Sequence, residues 1–343
     1  MDQLYKWELA HLSALQKLPF VGDVRHEWIW LTITKLGDPL LAFIFYFPLL
    51  FAFHERGALK MLVGACISEF LNGVLKWLFH GERPYWYALD IGYTPLMQYP
   101  YTCETGPGSP SGHVMVSSTI FYVMITLVRC KWLSTLCWVL YAIGLALIGI
   151  SRLYIGAHFP HQIVLGALIG ILIGHIVSRW EPARWRPYQT FLMAGILVVI
   201  GVSTYHGLLF TGFDPNWSIA KALQHCAKAE WIHISTTPVA SAIRNISTML
   251  GLCLCQLLST NYRLKNDFSE YGAVGRLPRL VLSVGHVILA CALVFASDYM
   301  HSTVLVYYAA VFTANLVNIL LIVVFIPYAM RKYVFVFDPE KNK

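Results

Sequence analysis

The chain reads as a succession of long apolar stretches separated by short polar ones. Nine stretches are long enough to cross a bilayer, at about 28–53, 58–79, 112–129, 132–150, 159–178, 189–210, 239–259, 279–296 and 303–328. A hydrocarbon core about 30 Å thick requires about 20 apolar residues in a helix. No soluble domain fits between the stretches, and no repeat of 20–50 residues is visible. The predicted fold class is therefore all-α: a polytopic membrane protein of about nine transmembrane helices in one unit, residues 1–343. The first 25 residues, mixed in polarity and carrying Lys6, Lys17 and Arg25, lack the apolar core of a cleavable signal peptide.

Composition sharpens this. Of the 343 residues, 57% are apolar and 13% charged, with a mean hydropathy of +0.59. A soluble domain carries about 25% charged residues, so a soluble enzyme, a disordered chain and a secreted disulfide scaffold are all excluded. The net charge of +7 could suggest a nucleic-acid partner, but the placement of the basic residues says otherwise. If all nine stretches cross, the long loops at about 80–111 and 211–238 share one face. Fifteen of the 25 Lys and Arg then fall on the opposite face: Arg56, Lys60, Arg129, Lys131, Arg179, Arg184, Arg186, Arg263, Lys265, Arg276, Arg279, Arg331, Lys332, Lys341 and Lys343. The positive-inside rule makes that face, with the C-terminus, cytosolic, and the N-terminus and both long loops lumenal or external. The eight cysteines show no metal or redox spacing, and no acidic metal-ligand cluster is present. No cofactor and no metal are expected.

Three blocks interrupt the apolar pattern: Lys76-x6-Arg83-Pro84, Pro110-Ser111-Gly112-His113, and Ser151-Arg152-x5-His158. Alternating stretches bring all three to the non-cytosolic face. Three cations can surround one oxyanion, with Arg offering a bidentate fork to phosphate. Ser111 and Gly112 at a helix start expose backbone N–H groups to an anion. Two histidines complete what phosphoryl transfer through a covalent intermediate needs, a nucleophile and a proton donor.

The blocks resemble the three-part signature of the type-2 phosphatidic acid phosphatase superfamily, which includes lipid phosphatases and vanadium haloperoxidases. The resemblance implies a helical core about residues 58–178, with additional helices about 189–328, a phosphohistidine mechanism and no metal. Longer stretches look like the glucose-6-phosphatase catalytic subunits: Asn72 to Trp86, Cys103 to His113, Ala157 to Gln162, and Glu230 to His233 followed by Thr236-Thr237-Pro238. That similarity runs from about Gly37 to Pro327. It implies hydrolysis of glucose 6-phosphate or a close sugar phosphate at a lumenal site in the endoplasmic reticulum membrane. His158 would be the nucleophile and His113 the proton donor. Lys76, Arg83 and Arg152, with Ser111 and Gly112, would hold the phosphate. Expected partners are the sugar-phosphate substrate, membrane lipids and a glucose-6-phosphate transporter, with no nucleic acid. A lipid phosphatase and a non-catalytic anion binder or transporter are the alternatives.

One position departs from the superfamily. Its third block usually places Asp four residues after the nucleophile to orient it, and here that position is Gln162. An amide accepts a hydrogen bond but does not stabilise imidazolium as a carboxylate does. Asp38, in the helix-breaking Gly37-Asp38-Pro39, is the candidate carboxylate for His158; the alternative is a structural partner for Lys35 or for a nearby basic residue. Glu69, seven residues before Lys76, is expected to pair with Lys76 or to fix a neighbouring helix. Glu104 could accept sugar hydroxyls. Asn216-Trp217-Ser218 is a glycosylation pattern in a lumenal loop, and Cys103 and Cys226 are either a disulfide or two free thiols.

Overall fold

The structure, a computed structural model, describes residues 2–19, 24–93, 96–261, 276–299 and 303–325. Arg263, Lys265, Arg331, Lys332, Lys341 and Lys343, counted above toward the cytosolic face, lie outside the described residues. Its elements are α1 (Asp2–Leu15), α2 (Glu27–Leu36), α3 (Pro39–Leu41), α4 (Phe47–Phe53), α5 (Glu55–Phe79), α6 (Pro84–Asp90), α7 (Gly112–Thr126), α8 (Lys131–Tyr154), α9 (Pro160–Ser178), α10 (Pro187–Phe210), α11 (Trp217–His225), α12 (Pro238–Asn261), α13 (Arg276–Tyr299) and α14 (Val304–Leu320). Among the described residues there is no strand, only an isolated bridge between Glu104 and His233.

Each of the nine predicted stretches is helical over its described residues. Among the described residues six helices have the length and apolarity to cross, and a seventh arises if Glu27–Leu36 and Pro39–Phe53, bent by 49° at Gly37-Asp38-Pro39, form one span. The stretch expected at 112–129 gives a helix of 15 residues, and that at 279–296 lies within the 24-residue helix α13. The 112–129 stretch starts where expected, at Gly112, and its helix ends at Thr126, three residues short of the expected end.

The core is α5, α7 and α9. α5 is buried on nearly every side, whereas α8 and α10 turn wide apolar faces outward, as lipid-facing helices do. α9 approaches α7 along Gly166, Gly170 and Gly174. A Cβ on Gly166 would stand 2.7 Å from the Ser111 carbonyl oxygen, and one on Gly174 2.8 Å from Tyr122 Cβ. Small residues at a spacing of four let two backbones come this close in an apolar medium. The consequence is local: the start of α7 lies on the start of α9, with Ser111 N–H donating to Gln162 O at 3.0 Å. At the far end, Lys60 near the start of α5 reaches Ser178 O and Glu181 at the end of α9, both at 2.9 Å. The helices thus alternate in direction, and the block residues collect at the end opposite Arg129, Lys131, Arg179 and Arg184.

That end is closed by the two long loops, which pack on each other as the topology predicts. Cys103 and Cys226 form a disulfide, settling the choice left open by the sequence. Thr105 N–H donates to Thr236 Oγ1 at 2.9 Å, and Ser218 Oγ donates to Thr105 O at 2.8 Å. Asn216, the glycosylation candidate, is half-buried with its amide donating to Tyr205, and its sequon partner Ser218 is buried.

Glu69 pairs with Arg244 of α12, not with Lys76. Arg244 donates through Nε at 3.2 Å and through Nη2 to the same carboxylate oxygen, while Asn245 donates to the other at 3.0 Å. All three are buried. Removing one member of a buried ion pair strands the other and costs about 3–5 kcal/mol. Arg244→Ala should therefore lower the thermal unfolding temperature in detergent sharply, and Arg244→Ala with Glu69→Ala should recover part of the loss. An unchanged midpoint for the single variant would contradict the pairing.

Candidate active site

Helix ends and turns deliver the site residues. Lys76 is in the last turn of α5, which terminates at His80 in the left-handed region (φ 47°). Asn and His tolerate that conformation better than branched residues, and the chain then runs extended through Arg83 into Pro84 at the start of α6. Arg152 occupies the last turn of α8, and His158 the turn before α9.

Four of the five expected side chains converge on one carboxylate, Glu104. Arg83 Nη2 donates to Glu104 Oε2 at 2.8 Å, and Arg152 Nη2 donates to Oε1. Lys76 Nζ lies 3.8 Å from Oε2, and His113 Nδ1 3.6 Å from Oε1. Arg83 and Arg152 are fully buried, and Glu104 is 9% exposed. Burial alone would raise the Glu104 carboxyl, but Arg152, Arg83, Lys76 and His113 overcome it and hold the group well below the usual carboxylate range. The remaining donors of Arg83 are spent on fixing the loop, going to the carbonyls of Gly106 (2.7 Å), Ala157 (3.0 Å) and Pro107 (3.1 Å). Arg152 Nη1 donates to Thr34 Oγ1 at 2.9 Å and faces His113 Nε2 at 3.4 Å.

His158 is the fifth member. Its Nδ1 lies 2.8 Å from the Gly108 carbonyl and 3.3 Å from Gln162 Oε1. Two oxygens with no proton to give place the hydrogen on Nδ1 and the lone pair on Nε2. That Nε2 is buried and has no hydrogen-bond partner among the described residues. Burial, reinforced by Arg83 and Arg152, pushes the imidazole well below the usual histidine range, so it is a free base at neutral pH. Gln162 is itself held, its Nε2 donating to Glu82 O at 2.7 Å and its Oε1 accepting Phe159 N–H at 3.1 Å.

Three expectations need correction. Asp38 does not reach His158: its carboxylate accepts Leu40 N–H at 2.9 Å, capping the helix after the break. A helix restarting at Pro39 needs that acceptor, and this local demand wins. Lys35, its alternative partner, stands over the Tyr101 ring at 5.5 Å. Ser111 is less open than expected, because its N–H is taken by Gln162 O, while its buried Oγ has no partner among the described residues. Gly112 opens α7, where a Cβ would meet the Asn72 amide oxygen at 2.9 Å, and with His113 it lies in the first turn, whose N–H groups have no acceptor within the helix. Thr34, which holds Arg152, was not singled out by the sequence, where it is one threonine in an apolar helix. Among the described residues no group of His, Cys, Asp and Glu is arranged to hold a metal ion.

Comparison with known proteins decides the family. The PAP2 superfamily pattern matches residues 57–186. Glucose-6-phosphatase catalytic subunit 1 of Canis lupus familiaris is 35% identical over 342 residues, covering 92% of each chain. Human glucose-6-phosphatase 2 is 35% identical over 276 residues, 74% of this chain and 76% of its own. The chain belongs to the glucose-6-phosphatase family. This phosphatase is thus a membrane enzyme of the PAP2 superfamily. Human glucose-6-phosphatase 3 is 35% identical over 66% of this chain and 69% of its own. No solved structure matches the chain significantly.

The phosphatase is expected to be sensitive at Gly108, whose carbonyl faces the His158 ring and where a Cβ would stand 2.3 Å from the Glu82 carbonyl oxygen and 2.9 Å from the Gln162 amide. Gly108→Ala should lower kcat about 10²-fold, the cost of a displacement near 1 Å in a reacting group, in protein that remains monodisperse. A kcat close to wild type would remove this carbonyl from the positioning of His158.

Proposed function

We propose that the protein hydrolyses glucose 6-phosphate, or a close sugar phosphate, through a phosphohistidine on His158, at a site facing the lumen of the endoplasmic reticulum. The observation that carries this reading is the convergence of Lys76, Arg83, Arg152 and His113 on one carboxylate, beside an imidazole nitrogen with a free lone pair. Glu104 marks where an anion is stable. A phosphate entering there takes over its donors, because two unit charges of like sign 4 Å apart repel by about 4 kcal/mol at an effective dielectric of 20. Displaced, the carboxylate is placed to accept hydrogen bonds from sugar hydroxyls.

In the chemical step His158 Nε2 attacks phosphorus and the bond to the sugar oxygen breaks. His113, protonated as the phosphate dianion enters beside it, gives its proton to that oxygen. The phosphorylated imidazolium keeps Nδ1–H on the Gly108 carbonyl and Gln162 Oε1, two dipoles in place of the carboxylate that Gln162 replaces. Neutral His113 then takes a proton from water as the water oxygen attacks phosphorus, releasing phosphate and restoring both histidines. Three cations stabilise the charge on the equatorial oxygens in both steps.

The lumenal assignment rests on the basic residues at the opposite end of the bundle, and it implies a transporter that brings substrate across the membrane. Purified protein, offered ³²P-labelled glucose 6-phosphate and quenched in alkali, should carry label that His158→Ala lacks; phosphatidic acid should give none. Hydrolysis in sealed microsomes should be latent and appear on permeabilisation. Labelling or wild-type turnover in His158→Ala would overturn the mechanism, and absence of latency the location.

A further inference from the structure

The first turn of a helix presents N–H groups that need acceptors from elsewhere. At α9 the usual source is missing. Phe159, in the N-cap position, has no side-chain acceptor, and Pro160 has no N–H. Phe159 N–H is met by Gln162. The next, His161 N–H, donates to Glu8 Oε1 at 3.0 Å, and His161 Nδ1 lies 2.5 Å from Glu8 Oε2. Glu8 belongs to α1, 153 residues earlier, and is 3% exposed. It lies outside residues 57–186, the part matched by the superfamily pattern.

The rest of α1 works on the same region. Tyr5, Leu9 and Leu12 pack into a cluster with Tyr85, Trp86, Tyr87 and Phe159. Tyr5 OH accepts Glu82 N–H at 3.4 Å, next to Arg83. Gln16, just past the helix, donates to Tyr154 O at 2.6 Å, two residues beyond Arg152. One short helix therefore touches the three segments that carry Arg83, Arg152 and His158. Of these contacts only Glu8 brings a charge, and it brings it to the helix end that favours an anion.

We infer that Glu8 is a positioning residue for the nucleophile: from α1 it caps α9 in trans and so fixes the turn from His158 to Gln162. It touches His161, not His158, and acts through the backbone. Without it, the His161 N–H loses its acceptor inside the protein, and the first turn of α9 can shift. That turn carries Gln162, whose amide oxygen faces His158 Nδ1. Glu8 thus does not take the place of the superfamily's usual carboxylate; it holds the turn from which Gln162 faces His158. This inference rests on hydrolysis at His158.

The full-length protein in detergent, assayed for glucose 6-phosphate hydrolysis beside thermal unfolding, tests it with Glu8→Ala, Glu8→Gln, Glu8→Asp and Lys6→Ala. Lys6 pairs with Asp2 on the exposed side of α1 and should leave kinetics unchanged. Glu8→Ala should lower kcat about tenfold or more with KM nearly constant, the signature of a misplaced reacting group. Glu8→Gln, whose amide oxygen still accepts His161 N–H, should restore most of the rate. Glu8→Asp keeps the charge but is one methylene short, and should fall below Glu8→Gln; this ordering decides the matter if Glu8→Ala does not fold. Wild-type kcat in Glu8→Ala, a loss confined to KM, or Glu8→Asp as fast as Glu8→Gln would overturn the inference. A wild-type protein that hydrolyses nothing would instead end the phosphatase reading, and the positioning role with it.

Discussion

Three cations buried side by side cannot persist without an anion among them. Lys76, Arg83 and Arg152 are almost closed to water, and in such a place their repulsion is not screened as it would be at a surface. Everything at this end of the bundle answers that constraint. Glu104 supplies the negative charge, the loop carbonyls of Gly106, Pro107 and Ala157 absorb the remaining Arg83 donors, and Thr34 takes one from Arg152. The cost of assembling the cations is met by a group that a phosphate ester can replace. A site built so is strained toward an anion, and the identity of that anion is what the enzyme selects.

The scaffold makes the constraint tolerable by fixing backbones before side chains. Glycines on α9 let α7 approach until the starts of the two helices hydrogen-bond directly, and Thr119 ties both to α5 through Ser68 Oγ at 3.0 Å and Gly170 O at 3.0 Å. The histidines are then held by main chain: His113 by the first turn of α7, His158 by the turn before α9. The disulfide and Thr236 press the second long loop onto the first, so the cation cluster is roofed by protein. Hydrogen bonds in such a roofed, low-dielectric space are stronger than at a surface, and any left unmade are more costly.

Much of this was legible in the sequence. The three blocks and the alternation of apolar stretches placed Lys76, Arg83, His113, Arg152 and His158 at one end, because a helix crossing a bilayer leaves no choice of side. What failed was contact at long separation. Asp38 carried the right chemistry for His158, but a broken helix needed its carboxylate locally. Glu69 fixes a neighbouring helix, one of its two expected roles, but its partner Arg244, 175 residues on, could not be read from the chain. Glu104 was visible as a member of a distinctive block, but no pattern along the chain says that its carboxylate turns inward to the cations. Glu8 sits in a helix of mixed polarity where it reads as one more exposed charge. Such partners are set by packing between helices whose rotation a one-dimensional pattern does not fix.

The central claim is that the cations gathered on Glu104 form the seat of the transferred phosphoryl group. A cryo-electron microscopy map of the protein soaked in orthovanadate, which mimics that group during transfer, tests this most directly. The account predicts vanadate between Arg83 and Arg152, bonded to His158 Nε2, with the Glu104 carboxylate moved off both guanidiniums. Vanadate bound elsewhere, with Glu104 still held by Arg83 and Arg152, would contradict it.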